Sequence, residues 1–450
     1  MQLKSLWNAL RHPIHPETRE NLERLWAGLA DDLRGPEQLY GRQWEGCGAT
    51  IGAMPRCDFS CTACYLGKEA NSIPPLALDE IRDQLKLIRS QVGRWGNVQL
   101  TDGEVALRPA AEVIELLRSA RELELIPMLM THGEGFRKRP ELLERLVHEG
   151  GLSEISFHID TTQRGRGDLR PQRERELHGV RADFAELVRR VRRSTGRELR
   201  VASTVTVTRD NLAGVAEIVE WMVRNHDVYR MLSFQPVASV GRTRDRNGVS
   251  REELWDEICR GLGHDRRAAD SAWRSNLIFG HPECTHVVMG AVWDPSDGPP
   301  RFVPLRDPTD PVAESRLRTF FGRFGGLSFR NDTRSVAVAR ALGLFLRAPW
   351  FWTMHAPRWL NAWLRRADSS VLQAATRSAR SDARLSPLVI VSHHFMDEGT
   401  LESPIGKRRE AACVFQVPYR GELVSMCRIN ATGLRQTQYR SQAKKLTAQP

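Results

Sequence analysis

Cys57-Asp58-Phe59-Ser60-Cys61-Thr62-Ala63-Cys64 places three thiols at C-x3-C-x2-C spacing in one tight loop. Three cysteinates can hold three irons of a cubane iron–sulfur cluster and leave the fourth iron without a protein ligand. An electron-transfer protein would close that corner with a nearby Cys, but the next one here is Cys259. An open iron is a chemical site, because a small molecule can chelate it. Structural zinc is the competing use of such thiols. It takes four N or S ligands, commonly in C-x2-C pairs, and Cys47 could supply the fourth. Counting alone leaves both readings open.

Outward from the loop the chain alternates strand and helix patterns. A run Ala49–Ala53 leads into the cysteines as a strand. Helix Leu76–Gln91 follows Pro74-Pro75 and puts Ile81, Leu85 and Ile88 on one face. Then come strand Asn97–Leu100, helix Ala110–Arg121, strand Ile126–Met130, helix Pro140–His148 and strand Glu154–Ile159. A long Arg-rich link, Arg164–Glu176, precedes helix Ala182–Arg193 and strand Arg200–Val207. Asp210 or Asn211 is expected to cap helix Leu212–Arg224, and strand Tyr229–Pro236 closes the series. The strands are short and rich in Val, Leu, Ile and Met, as buried parallel strands are. Alternating βα units argue an α/β fold with a parallel sheet, open or barrelled.

The loop resembles the signature of the radical S-adenosylmethionine (SAM) enzymes. That resemblance implies a partial (β/α)6 TIM-like barrel over residues 47–240, with its chemistry at the C-terminal strand ends. It implies a [4Fe-4S] cluster on Cys57, Cys61 and Cys64 whose open iron takes the amino and carboxylate groups of SAM. An electron then cleaves SAM to a 5′-deoxyadenosyl radical. The family usually has an aromatic residue just before the last Cys; here Ala63 stands there and Tyr65 follows. A second match lies at Leu100-Thr101-Asp102-Gly103-Glu104-Val105, where the family carries Gly-Gly-Glu-Pro: Gly103 and Glu104 agree, Asp102 replaces a Gly and Val105 the Pro. A glycine for close backbone approach and a carboxylate for an ammonium are both retained. The resemblance places cofactor contacts at Tyr65, Asp102, Gly103, Glu104, Asp160 and Thr204. Among polar groups at strand ends it favours Glu104, Asp160, His158 and His132 for the reaction.

Residues 1–46 read as a helical extension, with Leu22, Leu25, Trp26 and Leu29 on a packing face. Residues 241–435 form a C-terminal α+β region, entered through a charged linker at Arg242–Gly248. Cys259 sits in a short helix as a buried thiol. The block His281-Pro282-Glu283-Cys284 precedes an apolar run, and Cys413 and Cys427 lie in two β-like runs, Ala412–Val417 and Leu423–Ile429, joined by a turn. Cys284, Cys413 and Cys427 could hold an auxiliary iron site, with His281, His286 or Cys47 completing it; His393-His394 is a further pair. Segment 333–367 carries six Arg, no acidic residue and four of the twelve Trp. It reads either as an in-plane membrane-surface helix or as a helical pair packed on the barrel. Residues 436–450 are a basic, polar tail, expected to be disordered.

From Leu100–Arg108, His281–Cys284 with Phe302-Val303-Pro304, and the Cys413…Cys427 hairpin, roughly residues 40–435 resemble the tetraether-synthase-like branch. That branch couples or alkylates unactivated lipid carbons by C–C or C–S bond formation and carries auxiliary metal sites. The resemblance implies hydrogen abstraction from a lipid or other hydrophobic substrate, with ferredoxin or flavodoxin as reductant. The alternatives are a radical enzyme acting on a peptide or small metabolite, and a zinc-stabilised binding protein. Eight Cys in 450 residues are too sparse for a secreted disulfide scaffold, and no apolar run reaches the ~18 residues of a spanning helix. A cytoplasmic location is expected, with peripheral attachment to the inner face of the membrane as its variant. The net charge of +11 points to an anionic partner or surface, but no nucleic-acid module is present and no nucleic acid is expected.

Overall fold

The strands, in chain order, are β1 (Cys47–Ala49), β2 (Asn97–Leu100), β3 (Ile126–Thr131), β4 (Glu154–His158), β5 (Arg200–Val207), β6 (Tyr229–Pro236), β7 (Leu277–Ile278), β8 (Thr285–Pro295), β9 (Arg301–Pro304), β10 (Ala383–His393), β11 (Phe415–Tyr419) and β12 (Glu422–Ser425). The computed structural model describes residues 2–243, 248–263, 276–330, 332–367, 369–380 and 382–447. Four residues of the charged linker, 244–247, lie outside them.

All described strands join one sheet in the order β12-β11-β1-β2-β3-β4-β5-β6-β10-β8-β7, with β9 on β8. From β1 to β6 every neighbour is parallel. This is the curled, partial TIM-like barrel that the alternating pattern and the cysteine loop lead one to expect. Each strand returns through a helix that buries one stripe. In helix Leu78–Val92 the inward residues Ile81, Leu85, Ile88 and Val92 are all buried, at the i, i+4, i+7 spacing of a helical face. The core they build runs from Ala53 to Ile390 and includes Cys259, which is a packed thiol as expected.

The two halves of the chain share the sheet. β10 pairs in parallel with β6 and antiparallel with β8. At the other edge β11 runs parallel to β1, with Cys47 opposite Phe415. C-terminal residues thus flank the barrel on both sides.

Several expected elements shift. The first strand lies at Cys47–Ala49 rather than Ala49–Ala53, because the chain beyond Thr50 turns so that the Gly52 N–H reaches the Asp102 carboxylate. The helix expected from Ala182 starts at His178. Neither Asp210 nor Asn211 caps the helix Val215–Arg224; the Asn211 side chain accepts from Thr208 N–H (2.8 Å) and donates to Glu174 (3.0 Å) instead. Cys427 is helical, not in a strand, since Ser425 caps the helix Met426–Ala431 by accepting from Arg428 N–H (3.1 Å). The tail is not disordered through the described residues: Leu434–Thr447 is a helix. Its polar composition hides one inward face, Arg435, Tyr439 and Gln442, all buried.

The Arg- and Trp-rich segment divides in two. Its second half, helix Ala356–Arg365, packs inward: Trp363 is buried and donates to Pro304 O (2.9 Å), and Arg366 donates to the Pro304 and Leu305 carbonyls. Its first half, helix Arg334–Arg347, packs on the N-terminal helix Gln2–Arg11 and leaves its outer face bare.

Candidate active site

The loop after β1 is held by the loops after β4 and β6 and by the turn Lys68–Ser72 that follows it. Ser60 N–H donates to Arg164 O (2.8 Å), Thr62 N–H to Thr162 O (2.9 Å), Cys64 N–H to Thr243 Oγ1 (2.9 Å) and Cys57 N–H to Asn71 Oδ1 (2.9 Å). Backbone held from several sides fixes where the thiols point. Cys57, Cys61 and Cys64 all line one cavity at the C-terminal ends of the parallel strands. Burial pushes the Cys61 thiol up to about 12 and raises Cys57 as well, so binding a metal there releases protons.

The same cavity is lined by Tyr65, Asp102, Gly103, His132, His158 and Asp160. Gly103 is needed where it stands: a Cβ would lie 2.1 Å from Arg56 O. Its N–H donates to Met54 O (2.9 Å), and Glu104 N–H donates to Arg56 O (2.8 Å). The motif after β2 is therefore stitched to the base of the cysteine loop.

Glu104 stands behind the cavity wall. It is buried and is not among the residues lining the cavity. Its carboxylate accepts from Ala106 N–H (3.0 Å), Thr131 Oγ1 (2.7 Å) and His132 N–H (2.9 Å), and His132 Nε2 lies 3.1 Å away. A carboxylate has about four acceptor positions, and these three donors fill three of them. Glu104 positions His132 and β3.

His132 is oriented on both ring nitrogens. Nδ1 accepts from Glu134 N–H (3.1 Å), which leaves the proton on Nε2, 2.7 Å from Asp58 Oδ1. That hydrogen bond holds the Asp58 carboxyl below its usual range. Phe59 stacks on the imidazole, ring centroids 3.7 Å apart. His158 is the opposite case. Its Nε2 is buried without a hydrogen-bond partner, and burial holds the ring down to about 4. The ring itself is part of the cavity lining. Asp160 accepts from Thr162 N–H (2.9 Å), Thr162 Oγ1 (2.5 Å) and Thr206 N–H (2.9 Å); burial raises its pKa against those bonds.

Thr204 does not reach the site. Its hydroxyl bonds Ser156 (2.8 Å) one layer down the barrel, and Thr206, two residues on and on the same strand face, lines the cavity instead. Asp102 reaches it only in part. Its side chain turns away to Gly52 N–H and to Arg435, which is fully buried. The Arg435 guanidinium also lies over the Tyr65 ring at 4.8 Å, and Tyr65 Oη donates to Asp102 O (2.9 Å). Arg435 and Thr206 were not among the sequence candidates. Arg435 sits in a tail that composition makes look unstructured, and no local pattern marks it.

The donor set fits a cluster better than a zinc ion. Cys47, the fourth ligand zinc would need, lies beside Cys413: its N–H donates to Val414 O (2.9 Å) and it is not on the cavity wall. The tightest metal-like group among the described residues is Cys57, Asp58 and His132, but both nitrogens of His132 are already engaged. Three loop thiols with no fourth protein ligand are what a cubane with one open iron requires.

Cys284, Cys413 and Cys427 do come together, joined by Cys47. Cys413 lies within electrostatic reach of the other three. Its thiol donates to Phe415 O (3.2 Å), Cys427 Sγ accepts from Met396 N–H (3.3 Å) and Cys284 Sγ from Arg409 Nε (3.2 Å). They are not as close-set as ligands of one ion. His281 Nδ1 accepts from Glu283 N–H (3.1 Å), and His286 Nε2 lies 2.6 Å from Pro282 O.

Residues 51–222 match the family described as Radical SAM superfamily, whose members use a [4Fe-4S] cluster and SAM. A curated relative, the 7,8-dihydro-6-hydroxymethylpterin dimethyltransferase of Methanocaldococcus jannaschii, is 23% identical over 206 residues, which is 44% of this chain and 38% of that protein. The chain thus matches well under half the length of that relative. Among solved structures, Streptococcus suis SuiB aligns over 50% of this chain and 47% of its own at 15% identity and a TM-score of 0.32. Native anSMEcpe with bound AdoMet aligns over 49% and 62% at 12% identity and a TM-score of 0.34.

Proposed function

We propose, from the premise that residues 51–222 carry a radical SAM domain, that this protein abstracts hydrogen from an unactivated carbon of a lipid or other hydrophobic substrate. When bound, the cluster and SAM supply one-electron chemistry that acid–base groups cannot, because such a C–H bond resists deprotonation. The chain's residues would divide the remaining work. Cys57, Cys61 and Cys64 hold the metal. Gly103 and Glu104 fix the loop and His132 around it. Tyr65, Asp160 and Thr206 offer polar contacts for a ribose or an amino acid, and the unused Nε2 of His158 accepts one more hydrogen bond. Enzymes of this superfamily need a reductant such as flavodoxin or ferredoxin, and the same is proposed here.

One observation carries the hydrophobic substrate. Val240, Phe395, Met396, Phe415 and Met426 share the cavity lining with the thiols and give it an apolar stretch that favours an acyl chain over water. The convergence of Cys47, Cys284, Cys413 and Cys427 supports an auxiliary iron site beside that stretch, the lipid-modifying branch being the finer reading. The dimethyltransferase relative suggests alkyl transfer to a ring as the alternative fate of the substrate radical.

The test is anaerobic reconstitution followed by SAM cleavage, then comparison of lipids and metabolites between a deletion strain and its parent. About four irons with sulfide at the first site, lost in Cys61→Ala, and a missing or unmodified lipid in the deletion strain are expected. Iron-free protein, or SAM cleavage that survives Cys61→Ala, overturns the radical chemistry. An altered polar metabolite with unaltered lipids overturns the substrate class.

A further inference from the structure

The helices Gln2–Arg11 and Arg334–Arg347 pack against each other as a pair. Gly343 lets them close, since a Cβ there would sit 2.3 Å from Leu10 O. Arg347 donates to the Leu10 and Arg11 carbonyls at the end of the first helix, and Arg340 donates to Pro13 O (2.6 Å) while paired with Asp332. Packing and polar clamps are thus spent on the inner faces.

The outer face is apolar and bare. Leu3 is 83% exposed, Trp7 60%, Val338 64% and Leu346 62%, with Leu342 and Phe345 beside them. Soluble surfaces rarely gather so many large apolar side chains in one patch without a use for it. The patch continues into Trp350 and Met354, both exposed. Its charges have one sign: neither Gln2–Arg11 nor Thr333–Ala367 contains an Asp or Glu, and Lys4, Arg11 and Arg334 on the two helices are exposed.

That combination selects the occupant. A second copy of the chain would bring the same cations face to face across the interface. A water-filled surface would leave the leucines and tryptophans solvated. An anionic bilayer supplies negative headgroups for the rim and an acyl boundary for the centre. Neither helix can cross it: among the described residues no helix is long and apolar enough, so the pair must lie in the plane. We propose that these two helices seat on an anionic lipid surface, with Leu3, Trp7, Val338, Leu342 and Leu346 entering the headgroup region. This deepens the hydrophobic-substrate reading, yet it uses no residue of the cofactor site, so either can fail alone.

Sedimentation of the full-length protein with vesicles tests it. Binding to phosphatidylcholine vesicles containing phosphatidylglycerol is expected, with little to phosphatidylcholine alone, and it should weaken with salt. Val338→Asp with Leu346→Asp should cut partitioning at least tenfold. Lys4→Glu with Arg334→Glu, on exposed positions that no core contact needs, should cut it about fivefold per charge reversed. Equal binding to both vesicle types, no binding to either, or unchanged partitioning in both variants overturns the proposal. So does a dimer, seen by analytical ultracentrifugation, that Val338→Asp dissociates. Iron content and SAM cleavage measured on the same preparations report separately on the cofactor site.

Discussion

At position 102 a carboxylate stands where the family pattern has a glycine, with φ at 133°, a conformation that costs a non-glycine residue about 1–3 kcal/mol. Burial pushes Asp102 up to about 6, opposed by Arg435. The two residues form a unit that only makes sense as a pair. Arg435→Met is expected to destabilise by about 3–5 kcal/mol, since it leaves a buried charge uncompensated. Asp102→Gly in the same background should recover most of that loss by removing charge and strain together; a double-mutant cycle by urea unfolding measures it. The sequence exposed one half of this pair, as a departure from Gly-Gly-Glu-Pro, but not the other, because the two lie far apart in sequence with no pattern linking them. A second residue-scale expectation concerns pH. Burial lowers His393 to about 4 and His394 to about 3. Below their ordinary value near 6.5 the unfolded chain binds protons that the folded chain refuses. Stability should therefore be full above about pH 6.5 and fall as the pH drops toward 4, by at most about 1.4 kcal/mol per pH unit for each ring. His394→Gln should flatten that slope in unfolding titrations run from pH 7 to about pH 4; an unchanged slope would show that His394 does not carry it.

Elements were legible in proportion to how local their cause is. β2, β5 and β6 fall on the expected residues, Asn97–Leu100, Arg200–Val207 and Tyr229–Pro236, short runs rich in the apolar residues of buried parallel strands. β1 did not, because a three-residue strand is defined by what it pairs with, β2 and β11, rather than by its own pattern. The helix Leu434–Thr447 is the clearest miss: its inward face is Arg, Tyr and Gln, and a hydrophobic period cannot reveal a polar stripe. Yet that helix ties three places together. Arg435 holds Asp102, Asn430 accepts from Arg435 (2.8 Å), and Gln442 donates to Pro74 O (2.6 Å) just past the cysteine loop. Truncation after Gly433 should therefore loosen the stretch between Leu66 and Leu76 as well as the Asp102 turn. Limited proteolysis should cut there in the truncated protein and not in the full chain, and reconstituted iron should fall; an intact loop with full iron would make the helix an ornament.

At the scale of the molecule the same logic decides what counts as a domain. The sequence divides naturally near residue 240, where the βα rhythm ends. The sheet does not divide there. β10 covers the open edge of β6 and β11 covers the open edge of β1, so the barrel borrows an edge strand at each end from the C-terminal region. An isolated 47–243 fragment would present both edges as bare rows of N–H and C=O groups, the arrangement that seeds strand addition and aggregation. It would also lose Phe395, Phe415 and Met426 from the cavity wall and Arg435 from behind Asp102. The fragment is accordingly expected to partition into the pellet on expression, while the full chain stays in the supernatant. Restoring 383–447 as a separate chain should rescue part of it, because that segment carries both covering strands. A soluble, monomeric 47–243 fragment with protected amides in β1 and β6 would show that the barrel closes without its C-terminal partners, and that the sequence boundary, not the sheet, marks the folding unit.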